Sequence, residues 1–399
     1  MIYILALALF PICVFCFWFE IVGNRRAPVF PFIYLVGFSY LGFYGLFPIW
    51  TAAFQLHPVY PLTVSGGTAL FIIFFLLAQI FGYLSVTKII ISFYETYPRY
   101  SGGFQSQNGT DRTTAQGIVV LGTIFIFCHF SFLIFPELRD IPSVNQLQQP
   151  FWNVGFGILI WGMFSQKISA AMVVFVGCAV VIYFIQYCLN GLITQLFITT
   201  TIFLSCAFYW RRYKIAMGSV SLLVILFTSY GYVKYASKTL YRGELTHIFA
   251  FNPNLSLDSL FSSINSATRR SAHSFVLEKV ISTTPIEIPY AEYSPLLGAV
   301  RNHIPRILWP EKPAEHRGNW FGLRYGFINP GDTLTSWNMP WISEFYLTYG
   351  YIRAILVSFI LGGVLALLAV FLSFLRYQEI GFGIFSPTII PLFHQESNF

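Results

Sequence analysis

Charge is what this 399-residue chain has least of: Asp, Glu, Lys and Arg together make up 10% of it, against 56% apolar and 19% aromatic residues. A soluble domain carries about 25% charged residues. A chain this poor in them cannot cover a globule in water, which excludes a soluble enzyme and points to a polytopic membrane protein. Acid is scarcer still inside the apolar runs. Glu20 is the only Asp or Glu placed within any of them, and no Lys or Arg falls at a midplane. Ion-coupled carriers need buried ionisable groups, so this shortage argues against a transporter, and His129, alone in mid-span, reads as a packing residue. Cysteine is missing from the polar part of the chain. Cys13, Cys16, Cys128, Cys178, Cys188 and Cys206 all sit in or at the ends of apolar runs, where they act as small apolar fillers and leave no disulfide framework or metal site. There is no zinc spacing, paired-Cys motif or phosphate-cradling Gly-rich loop.

What is there is a series of apolar stretches, each near the roughly 20 residues that a helix needs to cross a bilayer. They run Met1 to Val22, Pro28 to Phe54, Gly66 to Phe93, Gly117 to Phe135, Phe151 to Phe164, Ile168 to Cys188, Leu192 to Trp210, Ile215 to Tyr235 and Tyr351 to Leu375. Backbone groups in lipid have to bond within their own segment, so these are helices. Phe151 to Phe164 is short and contains glycine, and either spans or re-enters. A tenth run begins near Gly381 and stops at Phe399 short of a full crossing, so the natural protein is expected to continue. The first run lacks the charged start and cleavage site of a removable signal, and is kept as a span. The fold class expected is therefore an all-α polytopic membrane protein of nine to ten transmembrane helices.

Arg25, Arg26, Arg211, Arg212, Lys214 and Arg376 mark one side of the membrane, and Lys167 joins them if the fifth run spans. The positive-inside rule makes that side cytoplasmic. The net charge of +7 then reflects topology, with no nucleic-acid partner implied. The sequon Asn108-Gly-Thr falls on the inside and carries no weight. Counting crossings puts one long polar interruption, Lys238 to Gly350, outside. It holds 10 of the 23 Lys and Arg, 9 of the 16 Asp and Glu and 4 of the 7 His.

Its first part, 257–281, reads as an amphipathic helix with Leu257, Leu260, Phe261, Ile264, Ala272 and Phe275 on one face and Arg269, Arg270 and His273 on the other. It either lies in the headgroup layer with a solvated basic face or brings Arg269 and Arg270 to a lipid-linked phosphate. Its second part, the Pro-, aromatic- and Arg-rich 285–350, carries eight prolines from Pro285 to Pro340, a stretch that cannot form a long helix or a sheet. Trp309, Trp320, Trp337 and Trp341 make it too apolar for a solvated tail; such rings suit a bilayer interface or the flat faces of sugars. Among them stand Arg301, His303, Arg306, Lys312, His316, Arg317 and Arg324. Arg offers a planar fork that matches two phosphate oxygens at once. Arginines and aromatics beside a membrane fit either a lipid-phosphate-sugar ligand or an interfacial loop snorkelling to headgroups.

The wording of this segment is Arg301-Asn-His-Ile-Pro-Arg306-Ile-Leu-Trp309-Pro-Glu-Lys312-Pro313, then Phe321-Gly-Leu-Arg324-Tyr-Gly326, then Asp332 through Trp337, Trp341 and Glu344 to Gly350. It resembles the bacterial oligosaccharide repeat-unit polymerases, the O-antigen polymerase (Wzy-like) proteins. The likeness is concentrated in Arg301 to Gly350; around it only hydropathy and the single large external loop match, and the stop at Phe399 departs from the family. The resemblance implies a metal-independent glycosyltransferase of GT-C-like architecture in the bacterial inner membrane, with the large loop periplasmic or extracellular and no cofactor. It would polymerise undecaprenyl-pyrophosphate-linked repeat units into an O-antigen, capsule or exopolysaccharide. Its partners would be the carrier-linked donor and acceptor, membrane lipid and, as a further candidate, a chain-length regulator protein.

That reaction requires fixed positive charge for the pyrophosphate leaving group, for which Arg301, Arg306, Lys312, Arg317 and Arg324 are the candidates, Arg301 and Arg324 first. It also requires a base for the sugar hydroxyl: Glu344, just before a span, then Asp332 and His303. Trp309, Trp320, Trp337 and Trp341 are the sugar-stacking candidates. The absence of an Asp-x-Asp motif agrees with a lipid-linked donor. An O-antigen ligase, using the same leaving group on a lipid A core acceptor, is the alternative, and a polysaccharide exporter or flippase a further one.

Overall fold

The computed structural model describes residues 1–23, 32–54, 62–96, 112–145, 147–165, 168–189, 193–226, 261, 265, 268, 271–295, 298, 309, 311, 317–332, 337, 339–374 and 380–387. Among the described residues the protein is all-helical, with no strand. The principal helices are α1 (Ile2–Phe17), α2 (Ile33–Tyr40), α3 (Phe47–Ala53), α4 (Gly66–Thr96), α5 (Arg112–Ile134), α6 (Gln148–Phe164), α7 (Ala170–Leu189), α8 (Ile193–Tyr209), α9 (Tyr213–Leu226), α10 (His273–Thr283), α11 (Arg317–Arg324) and α12 (Trp341–Phe374).

Among the described residues six helices are long and apolar enough to cross a membrane: Ile2–Glu20, Ile33–Ala53, Gly66–Ile90, Gln116–Ile134, Ala170–Tyr187 and Trp341–Leu372. The first five coincide with runs marked by the sequence, while the last begins at Trp341, ten residues before the expected Tyr351 and inside the expected polar interruption. Their outward faces carry residues such as Leu7, Phe10, Phe81, Ile134, Ile352 and Phe371, each more than half exposed. An apolar surface of this extent is suited to lipid, not water. Shorter apolar helices lie at Gln195–Phe208 and Tyr213–Leu226. α6 is 17 residues long and deeply buried, with Trp152, Phe156, Ile158, Leu159, Ile160 and Trp161 all inaccessible.

The chain divides into two compact units. The first comprises Met1–Pro98, Thr268–Val370 and Pro391–Phe399; the second comprises Arg99–Ala267 and Phe371–Ile390. In the first, α2, a π-helical stretch at Leu41–Leu46 and α3 make one continuous path packed on α1. Glu20 accepts hydrogen bonds from the Phe32 N–H (3.1 Å), the Tyr34 N–H (2.9 Å) and the Tyr83 hydroxyl (2.7 Å). The first N–H groups of a helix have no intrahelical partner, and this carboxylate supplies one. The acid at the end of the first apolar helix is thus a cap for the start of α2. α4 and α12 cross at backbone contact: a Cβ on Gly82 would strike the Phe359 carbonyl, and one on Gly362 would strike the Gln79 carbonyl. Ser358 Oγ donates across the same crossing to Phe75 O at 2.7 Å. Small residues permit such approaches between membrane helices.

In the second unit α5 and α6 are the most closely joined pair, and a Cβ on Gly155 would lie 2.8 Å from the Gly122 oxygen. Where α5, α6, α7 and α8 end or begin beside the 135–147 and 190–192 connections, a buried polar and aromatic cluster joins them. Trp152 stacks on Tyr183 at 3.8 Å and donates to Thr199 Oγ1 at 2.9 Å. Gln149 bonds Tyr183, Tyr187 and Gln195. His129 bonds Gln148 O through Nδ1 at 2.8 Å and is fully buried, in keeping with a packing role.

Candidate functional site

The segment from α10 to α12, within the first unit, holds the residues that the sequence singles out. α10 ends at Thr283 because Pro285 follows, and a proline has no N–H to continue the helix. Its Glu278 accepts from the Ser65 N–H at 2.8 Å, which fastens it to the start of α4. The amphipathic reading placed His273 on the polar face. The structure instead buries it, 1% exposed, stacked on Phe43 at 4.6 Å, because another membrane helix covers that side. Arg269, Arg270 and 257–260 lie outside the described residues.

After α10 the chain wraps through Pro289 and Tyr293 to α11 and α12, with Thr284 as its hub. The Thr284 hydroxyl hydrogen-bonds the Tyr325 hydroxyl at 2.7 Å, and the Tyr346 hydroxyl donates to Thr284 O at 3.1 Å. Burial pushes the Tyr325 phenol above its usual value, against the opposing effects of the Thr284 bond and the neighbouring Arg324 charge. It is therefore a neutral hydroxyl at physiological pH. Arg324, the last residue of α11, donates from Nη2 to Pro289 O at 2.6 Å and lies 4.9 Å over the Trp320 ring. Its Nε is buried and without a partner. The guanidinium is thus braced against the protein.

α11 is held by a small aromatic core. Phe321 packs on Tyr325 and Phe327, and Trp337 stacks on Phe327 at 5.1 Å with 15° between planes. Gly322 permits it, since a Cβ there would lie 2.9 Å from Ile328 and 3.1 Å from Trp337. Trp320 also meets Tyr293 edge-on at 5.8 Å. Trp320 and Trp337 therefore each have one side against the protein, and Trp309 and Trp341 are half-buried. Asp332 closes a turn, its N–H donating to Asn329 O at 2.9 Å, while its carbonyl accepts from Asn319 Nδ2 at 2.9 Å.

Glu344 stands in the first turn of α12 and is 3% exposed. α12 is two helices in one: Gly350 (φ 72°, ψ −173°) breaks it, and a Cβ there would meet the Tyr290 hydroxyl at 3.0 Å. Only glycine takes such a conformation without strain. The break falls where the polar interruption was expected to end. It separates a short helix, 341–349, which carries Glu344, from a 24-residue apolar helix, 351–374. The short helix is seated on α4 by Phe345 against Phe75 (6.0 Å) and Tyr346 against Phe71 (5.5 Å). The Ala291 N–H bonds Leu347 O at 2.8 Å, joining it to the wrap after α10.

Of the expected site residues, the described structure connects Arg324, Trp320, Trp337 and Asp332 through α11, and links α11 by Thr284 and Tyr346 to the helix bearing Glu344. Arg301, His303, Arg306 and Lys312 lie outside the described residues, as does the side chain of Arg317, whose backbone opens α11. The sequence reading missed Thr284, Tyr325 and Tyr346. Nothing in their local sequence marks them, since their partners are 41 and 62 residues away. No group of His, Cys, Asp and Glu suited to a metal ion occurs among the described residues.

A family model described as a domain of unknown function, DUF8712, matches residues 104–375. No curated protein and no solved structure matches the chain.

Proposed function

We infer the function from the chain's own residues, since it belongs to the DUF8712 family, whose description names no activity. The reading they support best is a glycosyltransferase of the bacterial inner membrane that polymerises undecaprenyl-pyrophosphate-linked oligosaccharide repeat units. It acts on the outer face, with nine to ten spans and the 238–350 interruption as one large external loop. The observation that carries it is a buried carboxylate, Glu344, and a braced guanidinium, Arg324, each held in one hydrogen-bonded segment seated on a membrane helix.

The chemistry then divides as follows. Arg324 offers its charge to the pyrophosphate as negative charge develops there, in an environment where water is scarce and such charge is worth more. Arg301, Arg306, Lys312 and Arg317 are proposed to share that load. Glu344 takes the proton from the attacking sugar hydroxyl; Asp332 and His303 are the reserve candidates. Trp309, Trp320, Trp337 and Trp341 offer ring faces to sugars. The test is the lipid-linked saccharide that accumulates when the protein is removed from its cell. A single repeat unit on the carrier is expected. Completed chains on the carrier would make the protein a ligase, and no carrier-linked saccharide at all would overturn the reading.

A further inference from the structure

The wrap that follows α10 is bonded to two elements at once. Toward α11, the Thr284 and Tyr325 hydroxyls bond each other at 2.7 Å, Pro289 O accepts from Arg324 Nη2 at 2.6 Å, and the Tyr293 ring meets Trp320 edge-on at 5.8 Å. Toward the short helix 341–349, Thr284 O accepts from the Tyr346 hydroxyl at 3.1 Å and the Ala291 N–H donates to Leu347 O at 2.8 Å. The Ser294 and Tyr349 hydroxyls bond each other at 3.1 Å. Contacts to the two elements thus alternate from Thr284 to Ser294. They begin at one residue that serves both.

The bonds to 341–349 fall where that helix needs them. A helix leaves its last four carbonyls without partners of its own, and Gly350, with φ 72°, ends the helical path directly after Tyr349. Leu347 O is one of those carbonyls, and Ala291 supplies its bond. On the opposite side the short helix rests on α4 through Phe345 against Phe75 and Tyr346 against Phe71. Apolar packing of that kind is non-directional, whereas a hydrogen bond specifies distance and angle. The polar bonds of the wrap therefore set the register of 341–349 against α11. Thr284 is inaccessible to solvent, with Tyr325 and Tyr346 buried around it, so water does not compete for its two bonds.

We propose that Thr284 is a positioning residue for the transfer reaction. Its hydroxyl, through Tyr325, fixes the end of α11 that carries Arg324, and its carbonyl, through Tyr346, fixes the helix that carries Glu344. The inference rests on the polymerase reading and deepens it. A base and a leaving-group site held on separate elements work together only at one spacing, and a misplacement of about 1 Å costs about 10²-fold in rate. Substrate binding is spread over sugar and lipid contacts and depends less on that spacing. The loss should therefore fall on kcat and not on KM.

The test uses the full chain in lipid nanodiscs, with the carrier-linked saccharide purified from cells lacking the protein as substrate. Tyr346→Phe and Thr284→Val each remove one hydroxyl at nearly constant shape, and Thr284→Ser retains it. Two quantities are read: kcat and KM for transfer, and amide hydrogen exchange over 317–325 and 341–349. Tyr346→Phe and Thr284→Val should each lose about 10²-fold in kcat with KM changed less than about twofold. Exchange should quicken over 341–349 in the first and over 317–325 in the second, and Thr284→Ser should recover most of the rate. Unchanged kcat in both hydroxyl-deleting variants would overturn the proposal, as would unchanged exchange in both segments or a Thr284→Ser variant as slow as Thr284→Val. A wild-type protein that joins no saccharides, with exchange responding as expected, would overturn the polymerase reading and leave Thr284 as the link between the two elements.

Discussion

Glu344 and Arg324 are treated differently by their surroundings, and that difference sets what each substitution should do. Glu344 is buried at the head of a helix, so Glu344→Gln preserves shape and hydrogen-bonding capacity while removing the ability to accept a proton. Transfer measured with carrier-linked repeat units should slow by about 10²- to 10⁴-fold, the usual contribution of a positioned base, with substrate affinity retained. An unchanged rate would remove it as the base. Arg324 does two things, bracing Pro289 O and stacking on Trp320 while keeping Nε unengaged. Arg324→Ala should abolish polymer and leave single units on their carrier. Arg324→Lys should fail almost as badly, because a lysine keeps the charge but loses the fork and the stacking plane. Normal long-chain polymer from the lysine variant would mean that charge alone suffices.

The helices themselves show which features a sequence can disclose. Hydropathy and length were enough to place α1, α4, α5, α7 and α12, because lipid imposes one rule along each segment. The break at Gly350 was legible for the same reason, since polarity changes there. His273 and Glu20 were not legible in their roles: each is defined by a partner on another helix, Phe43 for the first and the Ile33–Tyr40 start for the second. The α4–α12 crossing was equally hidden, since glycines in an apolar run look alike until a neighbour's backbone lies against one of them. Gly362→Ala should lower stability by about 1–3 kcal/mol as the crossing is forced apart, read as a fall in the thermal midpoint in detergent. Gly177→Ala, at a helical site with nothing within 4 Å of the added carbon, should leave the midpoint unchanged. Equal midpoints for the two would show that the crossing does not bear on stability.

At the scale of the whole chain, the proposed polymerase function depends on which side of the membrane the α10 to α12 segment occupies, because on that reading lipid-linked repeat units are joined outside. The argument for the outer side is electrostatic. Arg211 and Arg212 stand in the short connection between α8 and α9, with Lys214 in the first turn of α9, and short cationic connections stay in the cytoplasm. On the proposed topology a crossing by α9 carries the chain outward, and 351–374 returns it to the cationic side. α9 is the critical step, as a short apolar helix of described range Tyr213–Leu226. If it failed to cross, every charged residue of the candidate site would face the cytoplasm and the polymerase reading would fall with it. Ser336→Cys, in a chain whose native cysteines are replaced, decides between these. An impermeant maleimide applied to intact cells with a permeable outer envelope should label it. A cysteine at Lys214 should be labelled only after the inner membrane is opened. Protection of the 336 position until that same point would place the segment inside.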